Sequence, residues 1–482
     1  MAETYKTLLA ARNGSLIPVF QDGKAMHSLY NPEREAESFI PAVTMEYPFF
    51  FVEGLGGGYH IRALLNRYPA SQIIVVEADE TAITFVRSIP CVSSVLSDTR
   101  VHLFTPETLS GKLKQLYIPA LHGDLQILCQ RVWAEENKDC GEAIQAVLHH
   151  DLAEISADYS VQCHFGAVWQ RNILLNLRLA AKAQQFCHFP TERTAAIIAA
   201  GPTFDTSVAD LIRHRSTYYI IATDTAYRSL VSYGITADAV VSLDGQQVSL
   251  YHFTGTTGSS PLFIFDLCAN PDAVRHAADA GRSFIFTSSG HPLASYAGDF
   301  PFLEAGAGTV TIAAADFARK AGFSSIAFFG ADFSYSKGKP YTKGTYLDTL
   351  YACCSNRLSP VEKKFCTLMF RTELIPAEKK GSFTTAVLSS YRETLEVWKN
   401  KTAAAATGTF SFSFSKNDFF CRIRNDFNQM QSSPDRANPL LPALLPLISS
   451  IRYHDSTTGK SHTFQELLKL AYSKTVRYTE LL

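Results

Sequence analysis

Short apolar runs closed by glycine or polar residues alternate with stretches of helical periodicity through most of the chain. Runs that are apolar throughout are buried on both faces, and their alternation with helices predicts βαβ units and parallel sheets. Two places show this most sharply. YPFFFVEG ends in Gly54-Leu55-Gly56-Gly57-Gly58, a helical stretch follows over 59–68, and an apolar strand over 73–76 stops at Glu77. TAAIIAA ends in Gly201-Pro202-Thr203, followed by a helix over 205–214 and the strand YYIIAT, which stops at Asp224. In both, the acid lies 23 residues after the first glycine. A glycine turn under a phosphate and an acid at the next strand end are the parts of a nucleotide-binding βαβ unit. The pattern predicts an α/β chain with two Rossmann-like domains in tandem.

The second unit continues with a helix over 225–233 stopped by Gly234, strands over 239–243 and 262–267, a helix from Pro271 and a strand over 283–287. That strand runs into Ser288-Ser289-Gly290-His291. Gly306-Ala307-Gly308-Thr309 opens a helix over 310–321, before a strand over 325–329 and Gly330-Ala331-Asp332. Beyond about residue 346 the strand rhythm fades. Helices are expected at 359–371, 383–401, 438–452 and 463–475, with one short strand through Phe410, Phe412 and Phe414 and a loop over 432–439. The expected division is an N-terminal domain over 1–190, a central domain over 191–345 and a mostly helical C-terminal region over 346–482.

At 482 residues the chain exceeds one domain, and 44 basic against 45 acidic side chains leave a net charge of −1. That balance argues against a nucleic-acid coat or polybasic membrane contact. The ten cysteines include no C-x-x-C pair and none at zinc spacing from a histidine, so neither a disulfide framework nor a structural zinc is expected. No signal-peptide pattern opens the chain, and the apolar tract PLLPALLPLI is short and broken by prolines. The expectation is a cytoplasmic protein without a membrane span.

Polar residues and glycines gather after the carboxyl ends of the strands, where open α/β sheets bind ligands. Gly201-Pro202-Thr203 is a candidate phosphate turn, since N–H groups at a helix start and the Thr203 hydroxyl suit an anion. A plain strand-to-helix turn would read the same. Asp224 and Asp244 end neighbouring strands and can accept hydrogen bonds from a ribose, a base or an amino-sugar, or cap helices. Ser242 and Gln246 flank Asp244 with further polar groups. Ser289 and His291 stand at another strand end, His291 as a turn residue or a base. The loop over 332–341 carries Asp332, Tyr335, Tyr341 and two lysines directly after the last buried strand. The central domain has no D-x-D pair, and no metal site is expected. The turn over 54–58 with Glu77 is similar to the glycine turn of methyltransferases, its role open, and Glu77-Ala78-Asp79 reads as a helix start.

IIAAGPTFD, YYIIATDTAYRSLVSYGITADAVVSLD, a G-A-G-T-V helix start and FFGADFSY, in this order over about 191–345, resemble the motility accessory factors (Maf). These are bacterial flagellin glycosyltransferases that add nonulosonic acids such as pseudaminic or legionaminic acid. Their central domain is shared with the archaeal 6-hydroxymethylpterin diphosphokinase (MptE-like) family and is similar in topology to bacterial sialyltransferases. The resemblance puts Gly201, Pro202 and Thr203 at the family's G-x-G-P-S turn, and Asp224, Ser242 and Asp244 at its strand ends. Gly308 and Thr309 match its G-G-S/T-V helix start, and Gly330, Asp332 and Tyr335 its G-x-D-L-x-Y loop. Relatives often carry a threonine-histidine pair shortly after that loop, where this chain has Pro340-Tyr341.

The resemblance implies transfer of a nonulosonic acid from a CMP-activated donor to Ser or Thr of flagellin, with no tightly bound cofactor. Gly201 to Thr203 would hold the leaving phosphate, Gly308-Thr309 the sugar carboxylate, and Asp224 and Asp244 the nucleotide or amide groups. Asp332, His291 or Tyr341, in that order, would be the base at the acceptor hydroxyl. Two other readings stand beside it: pyrophosphoryl transfer from ATP to a pterin alcohol, and a non-catalytic flagellin-binding role.

Overall fold

The computed structural model describes residues 4–184, 188–256, 260–306, 308–401, 410–430 and 438–479. The chain falls into two compact units, Met1–Gly166 with Leu445–Ala471, and Ala167–Leu444 with Tyr472–Leu482. The division lies inside the 40-residue helix Lys138–Leu177, whereas the sequence pattern put boundaries after 190 and 345.

The first unit opens with an antiparallel hairpin of β1 (Tyr5–Ala10) and β2 (Leu16–Phe20). Its parallel sheet contains β3 (Phe49–Glu53), β4 (Gln72–Val76), β5 (Val101–Phe104) and β6 (Leu125–Cys129) in the order β5-β4-β3-β6. The run Phe49-Phe50-Phe51-Val52 has no exposed face, as a central parallel strand requires. Helix Tyr59–Arg67 follows β3 as the periodicity predicts.

The second unit is built on six parallel strands: β7 (Thr194–Ile198), β8 (Tyr218–Thr223), β9 (Ala239–Ser242), β10 (Leu262–Asp266), β11 (Phe284–Thr287) and β12 (Ile326–Phe329). Their order is β11-β10-β9-β8-β7-β12. The chain steps outward from β7 to β11, then returns to pair β12 on the other side of β7. Alternate strand residues Ala195, Ile197, Ile221, Val241, Ile264 and Ile285 share one core with helix Val310–Ala321, the period-two consequence of strand geometry. Both tandem βαβ units predicted from the sequence are present.

The C-terminal helices form at Val361–Met369, Ala386–Asn400, Leu440–Thr458 and Phe464–Thr479, close to their expected places. Helices Tyr346–Cys353 and Lys416–Met430 were not foreseen. Nor was a small antiparallel sheet of β13 (Tyr335–Ser336), β14 (Ile375–Pro376) and β15 (Ser382–Thr384), in the order β13-β15-β14. The strand expected at 410–414 is absent: Ser413 makes a single antiparallel bridge to Asp299. Its alternation has another cause. Phe410 packs on Phe317 with ring centroids 4.8 Å apart, and Phe412 on Phe300 at 5.0 Å, so an extended segment buries every second ring without a ladder partner. The loop expected at 432–439 lies outside the described residues apart from 438 and 439. Among the described residues, no helix is long and apolar enough to cross a membrane.

Candidate functional site

In an open parallel sheet, neighbouring connections leave in opposite directions at the point where strand order reverses, and a crevice opens there at the carboxyl ends. In the second unit that point lies between β7 and β12. β7 runs into Ala199-Ala200-Gly201, and β12 into Gly330-Ala331-Asp332. A cavity of about 290 Å³ opens between them, lined among others by Gly201, Gly308, Thr309, Asp332, Tyr335 and Tyr341. Residues far apart in sequence, singled out by motif, therefore share one cavity.

The turn itself is closed by the chain. Thr203 donates its N–H to Asp332 Oδ2 at 2.7 Å and its hydroxyl to Asp332 Oδ1. Gly201 donates its N–H to the Gly330 carbonyl at 2.8 Å, and Pro202 has no N–H to give. The donors that the sequence assigned to a phosphate are thus engaged by a carbonyl and a carboxylate. Glycine is required at 201 because a Cβ there would lie 2.3 Å from Gly330 O and 2.7 Å from Asp332 Cγ. Across the cavity, helix Val310–Ala321 begins at Thr309 without a side-chain cap. The first N–H groups of a helix have no intrahelical acceptor and sit at the positive end of its dipole. Val310 and Thr311 open that helix and line the cavity.

The 332–343 segment is pinned at its far end. Asp205, on helix Phe204–Arg213, accepts from the Thr342 hydroxyl, from Lys343 N at 3.0 Å and from the Tyr233 hydroxyl at 3.0 Å. Burial works against its charge, yet these donors hold the Asp205 carboxyl below its usual range. Beside Asp332, Phe333 has φ 45°, a left-handed conformation that non-glycine residues rarely hold and that is found where surrounding structure imposes it. Desolvation pushes the Tyr341 phenol up to about 12, so it remains a proton donor at neutral pH and is a poor base. Burial raises Tyr335 in the same direction.

A second group lies along the same sheet edge. Asp224, buried at the end of β8, accepts from the Ser242 hydroxyl at 2.8 Å and from Thr225 N at 2.6 Å. Asp244 accepts from Gln246 N at 2.9 Å, and desolvation, helped by the Asp224 charge, raises its carboxyl above the usual range. Gln246 is exposed, and its carbonyl accepts from Asn270 Nδ2 at 2.9 Å. The histidine of this group, His252, escaped the sequence reading. Its pKa is lowered, chiefly by burial, against the pull of Asp224 and Asp244. Its ring meets Tyr346 edge-on at 4.8 Å, and its Nδ1 is buried without a partner. Lying in neither a strand end nor a motif, it gave no signal in the sequence.

Ser289 and His291 are not brought to this site. They follow β11, at the opposite edge of the sheet from β12, five strand spacings or roughly 24 Å away at about 4.8 Å each. His291 Nδ1 accepts from Leu293 N at 3.1 Å and caps helix Pro292–Ala297, and burial lowers its pKa to about 4. It is a turn residue and cannot share an acceptor hydroxyl with Asp332.

Other contributors come from distant segments. Leu388 and Tyr391 of helix Ala386–Asn400 wall the cavity, and Arg392 donates to the Asp332 carbonyl at 3.1 Å. Asn172 and Asn176, one turn apart on the long helix, donate to the carbonyls of Gly245 and Cys268 and of Leu267 and Ala269, at 2.8–3.0 Å. They hold the loops beyond β9 and β10. Side chains placed by helix packing carry no motif that could have found them.

In the first unit, the turn after β3 is filled by its own protein. Glu77 accepts from Leu55 N at 2.9 Å, Gly56 N at 3.2 Å, Trp133 Nε1 at 2.6 Å and the Tyr5 hydroxyl at 3.2 Å, while Gly57 donates to His27 Nε2 at 2.9 Å. The acid that the spacing placed at the next strand end of a nucleotide-binding unit fills the turn itself. Asp79 caps helix Glu80–Val86 through Ala82 N at 2.7 Å, the helix start expected there.

Comparison with known proteins agrees with this geometry. Residues 171–338 match the family model described as 6-hydroxymethylpterin diphosphokinase MptE-like. An uncharacterized protein of Treponema pallidum (strain Nichols) is 37% identical over 228 residues, covering 45% of this chain and 75% of the relative. A second from the same organism is 32% identical over 172 residues, covering 34% and 82%. The solved structure of a MAf glycosyltransferase from Magnetospirillum magneticum AMB-1 is similar over 100% of this chain and 92% of that one, with a TM-score of 0.50 and 14% identity, a likeness of fold. The resemblance read from the motifs is borne out in the MptE-like domain and in the fold, and the chain belongs to one family with the treponemal proteins.

Proposed function

We propose that this chain is a glycosyltransferase that moves a nonulosonic acid from a CMP-activated donor to Ser or Thr hydroxyls of flagellin. The observation that supports it is the switch-point cavity, which gathers an acid, tyrosine hydroxyls and an uncapped helix start from separate motifs in a glycosyltransferase-like fold. The donor carries two anionic groups, the phosphate that leaves and the carboxylate of the sugar. Thr309 to Thr311 at the helix start would take one of them. Because Asp332 already fills the Gly201–Thr203 turn, a second anion at that turn would have to displace a carboxylate, so the turn acts by holding Asp332 in place. Asp332 then accepts the proton of the acceptor hydroxyl, with Tyr335 and Tyr341 as donors beside it. Asp224, Ser242 and Asp244, farther along the sheet edge, would orient the nucleotide.

The test is intact mass of flagellin co-expressed with the wild-type chain and with Asp332→Asn, paired with thermal denaturation in CMP. A sugar-sized mass gain only with the wild type, together with a CMP-dependent rise in melting temperature, is expected. The MptE-like match favours a second reading, pyrophosphoryl transfer from ATP to a pterin alcohol. Stabilisation by ATP with a pterin alcohol but not by CMP would replace the first reading with the second.

A further inference from the structure

The first unit holds a cavity that the proposed transfer does not use. It forms where helix Leu440–Thr458 lies along helix Lys138–Leu177. The two cross closely at Gly166, where an added Cβ would come within 1.8 Å of the Pro446 carbonyl oxygen. One turn on, Ser449 donates to Gln162 Oε1 at 3.1 Å. A further turn on, Arg452 and Tyr159 line a space of about 510 Å³. That volume lies within the roughly 300–1,000 Å³ of small-molecule sites.

The lining carries charge of both signs, and among the described residues one cation in it stands without a partner. Arg452 Nε is buried and has no hydrogen-bond partner. Among the described residues, Arg452 makes no ion pair with Asp124 or Asp455, the two acids that also line the space. Asp455 accepts from His462 Nδ1 at 2.8 Å, another residue of the lining, and Asp124 is exposed. A buried donor on a charged group is costly to leave unpaired, and a guanidinium is suited to a carboxylate or phosphate. Lys460 adds a second cation. The hydroxyls of Ser156, Ser461 and Tyr159 also line the space, beside the apolar side chains of Leu152, Ile155 and Leu467. Desolvation pushes the Tyr159 phenol up to about 12, so it stays a neutral hydrogen-bonding group.

We infer that this cavity binds a small hydroxylated organic anion, a sugar bearing a phosphate or a carboxylate, with its anionic head on Arg452 and Lys460 and its hydroxyls on Ser156, Ser461 and Tyr159. The site is separate from the switch-point cavity and does not depend on what that cavity transfers.

Calorimetric titration of the full chain with glucose 6-phosphate, glucuronate, glucose and inorganic phosphate tests it. At least one sugar anion is expected to bind, glucose is not, and the stronger of the two anions identifies the head group. Arg452→Gln should weaken that binding by about 10-fold or more, the usual size of a lost charge-assisted hydrogen bond. Lys460→Gln, at an exposed position, should weaken it by a smaller factor with the melting temperature unchanged. Thr309→Val, in the other cavity, should leave it as it was. The inference is overturned if neither sugar anion binds better than glucose, if inorganic phosphate binds as well as the sugar anions, or if the folded Arg452→Gln and Lys460→Gln variants both bind like the wild type. Failure of CMP to bind would remove the proposed transfer and leave this site standing.

Discussion

Thr203 gives both of its donors to Asp332, the N–H at 2.7 Å and the hydroxyl, so one carboxylate ties the end of β7 to the end of β12 across the switch point. The two residues stand 129 positions apart in the chain. The turn therefore takes its shape from the acid, and the acid takes its position from the turn. Each serves as the other's support.

Coupling between them follows from this. Thr203→Ala and Asp332→Asn should each lower unfolding free energy by about 1–2 kcal/mol, the scale of a charge-assisted hydrogen bond. The double variant should lose less than the sum, because both changes remove one shared interaction. Urea denaturation of the four proteins measures it, and strictly additive losses would mean that the pair contributes nothing jointly.

Transfer activity should separate the roles of the loop. Asp332→Asn keeps the shape and removes the proton acceptor, so turnover should fall by about 100-fold or more with donor affinity little changed. Tyr341→Phe should lower turnover less and leave the pH profile below about 10 unmoved, since its phenol stays protonated there. Steady-state rates across pH decide it, and a profile that loses a limb in Tyr341→Phe would make the tyrosine the base.

Gly201 has no room for a side chain. In Gly201→Ala the new methyl would meet Gly330 O and Asp332, forcing β7 and β12 apart, at a cost of about 1–3 kcal/mol for an overpacked site. Thermal melting should show the loss, and the variant should also lose donor binding. An unchanged melting temperature would show that the strand ends can yield.

Stability should fall as the solution is acidified below neutrality. His291 is held neutral by burial, with its pKa lowered to about 4, and His60 likewise to about 3. Between these values and the ordinary 6.5, the unfolded chain binds more protons than the folded one, so stability rises with pH in that window. The contribution of His291 is present above about pH 6.5 and is lost as pH drops towards 4, up to about 3 kcal/mol at 1.36 kcal/mol per unit. His291→Asn retains a side-chain acceptor for Leu293 N and cannot be protonated in this range. The slope of its unfolding free energy between pH 4.5 and 6.5 should be shallower than that of the wild type, and equal slopes would remove His291 from the account.

The alternation of apolar runs and helical periods was enough to place both parallel sheets, because buried parallel strands must be apolar throughout and their crossovers amphipathic. Helix Val310–Ala321 and strand β8 stand where periodicity alone put them. The motifs also located Gly201, Thr309 and Asp332 at strand ends or helix starts, since glycine and short polar residues mark where the chain must turn. What the turns bind was not written there. A glycine turn followed by an acid suits a bound phosphate or an internal carboxylate equally, and only the return of β12 beside β7 brought Asp332 onto Thr203, as only the packing of β4 beside β3 brought Glu77 onto Leu55 and Gly56. The same strand order carried His291 to the far edge. His252, Tyr391 and Arg452 acquired their surroundings from helix and loop packing between distant segments, which depends on three-dimensional contact and leaves no local spacing to read.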